Sequence, residues 1–225
     1  MAPWLDFFIL PWLFLKVKWF LRQERLHLLK SYPDFAQHDR VFERNYLGRN
    51  PFSIAKAFFK QRGDQEIHNY GETPLTVFAQ IAQECQLTSA DHILDMGCGR
   101  GKGVFFLSHL LDCPAVGVDW IPCFMENAQR IAEEMRPRPK VTFYCEEIAQ
   151  IDLSAFTVIY LYGTGFNDAL IETLVRRFEL LSPRVKIVTV SYPLAEYSDQ
   201  FKTVKSWFAA FPWGKAEIYL NSRQD

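Results

Sequence analysis

From Ile93 onward, short apolar runs alternate with longer amphipathic stretches. The runs Ile93–Met96, Ala115–Val118, Val141–Cys145, Thr157–Tyr162 and Val185–Val190 read as buried strands. Between them, Lys102–Leu111, Ile121–Met135 and Asn167–Leu181 carry apolar residues at helical spacing. Pro137 and Pro139 stop the second of these helices, because proline cannot donate to a helical hydrogen bond. Strand and helix in alternation require a parallel sheet with helices on both faces. The tail breaks the rhythm: Lys202–Phe211 and Lys215–Asn221 flank Pro-Trp-Gly and read as a β-hairpin. The predicted fold is therefore α/β, a doubly wound and mostly parallel seven-stranded sheet that ends in a hairpin.

Ahead of the first strand, Leu75, Phe78, Ile81, Ala82 and Cys85 fall on one helical face. Thr73 is placed to cap that helix, with Pro74 as its first residue. A shorter helix is expected between Asn50 and Gly63, with Ser53 at its N-cap. A break near Ser31-Tyr32-Pro33-Asp34 ends an N-terminal helical stretch. These signals divide the chain into a helical extension, residues 1–60, and a main domain, residues 61–225.

Residues 1–21 are rich in aromatics: Trp4, Phe7, Phe8, Trp12, Phe14, Trp19 and Phe20. Asp6, Pro11, Lys16 and Lys18 cut the apolar stretch well below the ~20 residues of a membrane span. No basic residue precedes the apolar run, which argues against a secretion signal. Aromatic rings beside Lys16, Lys18, Arg22 and Arg25 suit a helix at a membrane surface, with residues 1–25 making the contact. An arm packed on its own domain is the alternative reading.

Composition narrows the picture little. The net charge of −1 carries no nucleic-acid signal across the chain. Residues 1–60 hold ten Lys/Arg and five Asp/Glu, an excess of +5, so the remainder carries −6. Five cysteines without metal-like spacing indicate reduced thiols and a cytoplasmic setting. Cys98 is read as a small spacer. His27, His38, His68, His92 and His109 form no cluster along the sequence, and no metal site is expected.

The chemistry concentrates at His92–Gly103. Glycine falls at 97, 99, 101 and 103, between a strand and a helix. Such a turn admits a ligand close to the backbone and presents it to a helix N-terminus. A P-loop is excluded, since only three residues separate Gly97 from Gly101-Lys102 and no Ser or Thr follows. The dinucleotide pattern fails because Lys102 stands where its third glycine belongs. Asp119 ends the second strand, 22 residues after Gly97, where a carboxylate meets ribose hydroxyls. Asp95 precedes the glycines and either holds the turn or reaches toward a cationic ligand group.

Asp95-x-Gly97-x-Gly99-x-Gly101 resembles the first motif of class I S-adenosylmethionine (SAM) methyltransferases. Tyr70-Gly71-Glu72-Thr73, a helix, and then Ile-Leu-Asp-Met-Gly-Cys-Gly are similar to the SAM-binding core of the non-SET histone-lysine methyltransferases, the telomeric-silencing-disruptor family. The likeness runs from about Tyr70 to Tyr219. It implies SAM as cofactor, bound by Tyr70, Thr73, Asp95, Gly97, Gly99, Gly101, Asp119 and Glu147. Where that family has Asn-Asn-Phe after the fourth strand, this chain has Tyr162-Gly163-Thr164. Tyr160-Leu161-Tyr162 behind an apolar N-terminus also resembles the small membrane-associated lysine methyltransferases. Both likenesses imply a protein lysine as methyl acceptor. Methyl transfer is a direct displacement, so alignment dominates. Tyr162, at the carboxyl edge of the sheet, is the leading catalytic candidate. Tyr160, Phe166, Tyr192, Trp213 and Tyr219 are candidate walls of an aromatic channel. Two other functions stay open: methylation of a small or lipid-like molecule at a membrane, and a non-catalytic scaffold.

Overall fold

The computed structural model describes residues 4–62, 70–163 and 166–224, with residues 4–14 described by their helical backbone alone. Seven strands form one sheet in the order β3-β2-β1-β4-β5-β7-β6. They are β1 (Ile93–Met96), β2 (Ala115–Asp119), β3 (Val141–Cys145), β4 (Val158–Leu161), β5 (Lys186–Val190), β6 (Phe201–Phe211) and β7 (Gly214–Arg223). The first five are parallel, and β7 runs antiparallel between β5 and β6. Strand order reverses between β1 and β4, which opens a crevice at their carboxyl ends.

Side chains alternate across this sheet. Ile93 of β1 and Tyr160 of β4 face the core cluster under α4 (Leu75–Glu84), α5 (Lys102–Leu111) and α6 (Pro122–Glu134). Leu94, Met96, Ile159 and Leu161 face the opposite cluster under α7 (Asp168–Phe178). Asp95 pairs in register with Tyr160, so a carboxylate lies in the first face beside a tyrosine. The strands are apolar on both sides, as a doubly covered sheet demands.

The N-terminal segment is built into the first face. It comprises α1 (Trp4–Ser31), a 3₁₀ turn (Pro33–Phe35), α2 (Ala36–Asn45) and α3 (Pro51–Arg62). Leu28, Phe35, Phe42 and Tyr46 are buried in the same cluster as Phe105 and Phe106 of α5. Among the described residues no helix is long and apolar enough to cross a membrane. The aromatic side chains of Trp4, Phe7, Phe8, Trp12 and Phe14 lie outside the described residues, as does His68.

Two local expectations need correction. Thr73 does not cap α4; its hydroxyl lies 2.5 Å from the Tyr160 hydroxyl. The α4 terminus is instead satisfied from a distant element, since Thr76 N–H donates to Glu24 Oε1 of α1 at 2.9 Å. Asn50, not Ser53, caps α3, accepting from Phe52 N–H at 3.1 Å. Pro51 then occupies the first helical position, where its missing N–H costs nothing. His38 and His109 meet as a pair, with ring centroids 5.1 Å apart, because α2 folds back across α5. They line neither cleft described below.

Candidate active site

Two clefts flank the glycine turn and share Gly71, Gly97 and Tyr162 as a common wall. The first, about 270 Å³, lies over the carboxyl ends of β1, β2 and β4. The second, about 330 Å³, lies between the glycine turn and the carboxyl-terminal half of α1.

The turn is shaped for close approach. Gly97 has φ +81°, a region that side-chain-bearing residues rarely enter. A Cβ on Gly97 would come within 3.3 Å of Phe166, and one on Gly99 within 2.9 Å of the Tyr70 hydroxyl. Gly101 differs. It is not part of either cleft, and a Cβ there would stand 2.4 Å from the Phe143 ring of β3. Its glycine serves the packing of the turn on the sheet.

Asp119 lines the first cleft at the end of β2. Its carboxylate accepts from Gly99 N–H at 2.8 Å and from Ile121 N–H at 2.9 Å. It thereby ties the glycine turn to the start of α6. Burial pushes its pKa up to about 6, against the lowering effect of those backbone donors. A carboxylate has room for about four hydrogen bonds, so acceptor capacity remains for a ligand. Glu147 lines the same cleft after β3, with Trp120, Ile121, Ile148 and Leu170 as apolar walls. This is a slot for a flat, largely apolar ring with an acid at its edge.

Tyr70 and Glu72 belong to the strap that precedes α4. Arg100 of the turn grips Glu72 with two donors, Nη2 at 2.6 Å from Oε2 and Nε on Oε1. Tyr70 donates its hydroxyl to the same carboxylate. Burial acts to raise the Glu72 pKa, but the Arg100 charge overrides it and holds the group below its usual range. Tyr70 thus lies across the mouth of the first cleft, and Thr73 borders the second.

Asp95 opens to the second cleft and is 4% exposed. Among the described residues its carboxylate has no hydrogen-bond or ion-pair partner. Burial, with a further push from Asp119, raises its pKa to about 8. A buried carboxylate without a cation is costly, and it identifies a place where a positive ligand group fits.

Tyr162 stands where the two clefts join. Its ring stacks on Phe211 with centroids 5.7 Å apart and planes 2° from parallel. Phe211 stacks in turn on Trp213, whose Nε1 donates to the Tyr162 hydroxyl at 3.0 Å. Among the other aromatic candidates, Phe166 lines the first cleft, Tyr160 lines the second, and Trp213 holds Tyr162. Tyr192 lies behind Gly163, and Tyr219 bonds Glu217 on the hairpin; neither lines a cleft. Thr164 falls outside the described residues. Sequence reasoning passed over Phe59, Trp120 and Arg22. Trp120 directly follows the strand-end acid, a position that is found once the second strand is placed. Phe59 and Arg22 reach the clefts only through the docking of α3 and α1.

Residues 93–184 match the family model described as a methyltransferase domain. That segment holds the glycine turn and Asp119, and the sheet order around it is the Rossmann-like methyltransferase fold of class I SAM-dependent enzymes. Solved structures agree on the fold. An RNA methyltransferase from Salinibacter ruber, in complex with S-adenosyl-L-homocysteine, superposes with a TM-score of 0.56 at 21% identity, covering 67% of this chain and 92% of that one. A magnesium protoporphyrin IX methyltransferase from Synechocystis with bound SAM gives 0.54 at 14%, covering 78% and 98%. A (4+2)-cyclase shares the same architecture, with 0.55 at 12%, covering 67% and 80%. Neighbours this diverse in chemistry leave the acceptor to be argued from the site itself. A sequence search of curated proteins returns no match.

Proposed function

We propose that this methyltransferase carries the SAM methyl group to a protein lysine side chain. The observation that carries the reading is the stack Tyr162–Phe211–Trp213 at the junction of the clefts. SAM, when bound, supplies an electrophilic methyl group on a sulfonium sulfur. The residues present fit it. Asp119 has acceptor capacity for ribose hydroxyls, Glu147 borders the ring slot, and Asp95 offers an unpaired carboxylate. Gly97 and Gly99 leave the backbone bare where the cofactor would pass, and Tyr70 and Thr73 hold the strap beside it.

A lysine amine attacks only when neutral. Its reference pKa of ~10.4 makes deprotonation near pH 7 cost about 4–5 kcal/mol. Aromatic walls exclude water and lower that cost by desolvating the ammonium. Their π faces would favour the sulfonium cation of SAM, by ~1–2 kcal/mol when dry. Tyr162 has the orientation for this, fixed by Trp213 and Phe211 rather than left to rotate.

The test is incubation with methyl-labelled SAM and a host lysate, followed by acid hydrolysis and amino-acid analysis. Label in Nε-methyllysine is expected. Tyr162→Ala and Trp213→Ala are expected to slow its appearance roughly 10- to 100-fold while SAM still binds. Protein-bound label in any other residue would overturn the lysine assignment.

A second reading, methylation of a small or lipid-like molecule at a membrane, has its own support. Leu15 and Trp19 of α1 are 63% and 64% exposed, beside Lys16 and Lys18. In that reading residues 1–25 lie on an anionic bilayer. Label recovered in the lipid fraction, with flotation on phosphatidylserine vesicles, would select it.

A further inference from the structure

The second cleft is crowded with charge, and pairing off its groups leaves two. Arg25 Nε donates to Asp39 at 2.7 Å. Lys102 Nζ lies 2.9 Å from Asp39 and 2.5 Å from Glu43. Arg100 holds Glu72, and Glu24 accepts from Thr76 N–H. What remains is Asp95, buried at the floor, and Arg22, exposed at the rim on α1. Among the described residues neither has a hydrogen-bond or ion-pair partner.

An unpaired carboxyl group and an unpaired guanidinium in a single cleft suit a zwitterion. An α-amino acid group is such a ligand. The cleft joins the ring slot through Gly71, Gly97 and Tyr162, so a molecule with a ring at one end and an amino acid at the other spans both. We infer that Arg22 of the N-terminal helix binds the carboxylate of the cofactor's amino-acid end, with Asp95 taking its ammonium group. This rests on the SAM reading above and extends it to α1, which then forms a wall of the cofactor site.

The geometry of α1 supports the assignment. Leu21, Glu24, Arg25 and Leu28 recur at helical spacing and turn one face toward the domain. Leu28 is buried in the core. Glu24 sits on the N-terminus of α4, where the helix dipole favours a carboxylate. Arg25 reaches through Asp39 to Lys102, the first residue of the helix that starts at the glycine turn. These contacts fix the rotation of α1, and with it the placement of Arg22.

The experiment compares two ligands by calorimetry on the full chain: S-adenosylhomocysteine, and 5′-methylthioadenosine, which lacks the amino-acid end. In Arg22→Ala, S-adenosylhomocysteine should weaken roughly 10- to 100-fold, the loss of one charge-assisted contact. Methylthioadenosine should change by less than about twofold, since it never met the arginine. Arg22→Lys should recover part of the loss, because the charge stays while the planar fork goes. Thermal melts report folding, which an exposed side chain should leave unchanged. Unaltered S-adenosylhomocysteine affinity in Arg22→Ala, or equal losses for both ligands, overturns the inference alone. Binding of neither ligand by the unaltered chain overturns the cofactor reading and the inference together.

Discussion

Asp95 and Asp119 are two buried carboxylates in one site with different surroundings. Among the described residues, backbone donors stabilise the Asp119 carboxylate and none does so for Asp95. The contrast has a consequence for stability. In the folded chain the Asp95 pKa rises from 3.8 to about 8, so the folded state holds a proton that the unfolded state has released. A raised carboxylate therefore favours folding below its unfolded pKa, and that advantage is lost as pH rises toward 8. Without ligand, Asp95→Asn should match the parent near pH 4 and melt several degrees higher at pH 8. Melts across that range decide it; a constant difference between the two proteins would refute the assignment. Asp119→Ala removes the carboxylate proposed to meet the ribose hydroxyls and also unties the turn from α6. SAM affinity should fall about 100-fold or more, with Asp119→Asn between the two.

Elements meet here through glycines as much as through side chains. Gly103, in the first turn of α5, faces Phe78 of α4, and a Cβ there would lie 2.3 Å from the ring. The phenyl group occupies the space that any other residue would need. Gly103→Ala should cost about 1–3 kcal/mol by overpacking. Urea unfolding measures it, and Phe78→Leu in the same chain should restore part of the loss, since the two sites share one space. The pattern of four glycines is visible in the sequence, but their division of labour is not. Gly97 and Gly99 open toward the clefts, Gly101 admits Phe143, and Gly103, which borders the second cleft, also admits Phe78. Periodicity located every strand and the helices that follow them. It could not place Glu24 on the α4 terminus, because that bond joins residues 52 positions apart.

For the molecule as a whole, the division at residue 60 is a boundary of composition that the core does not respect. Phe42 of α2 is fully buried and packs against Tyr46 and Phe105. Truncating a large core ring costs about 3–5 kcal/mol, a sizeable part of the 5–15 kcal/mol that holds a domain. We expect Phe42→Ala to lower the midpoint of one cooperative transition seen by both far-ultraviolet dichroism and tryptophan fluorescence. Two separate transitions would instead make residues 1–60 an independent unit.

The sequence by itself determined the alternation of strand and helix, the glycine turn, the acid at the end of the second strand and the terminal hairpin. Those are local facts, written in spacing and residue type over a few positions. Only the tertiary structure decided that Asp95 has no cation beside it among the described residues, that Trp213 fixes Tyr162 across 51 positions, and that Arg22 overlooks the second cleft. Each depends on burial and on the docking of distant helices, which no local pattern encodes. The glycine turn marks where a cofactor can lie, and the packing of α1 and the hairpin against it sets what surrounds it.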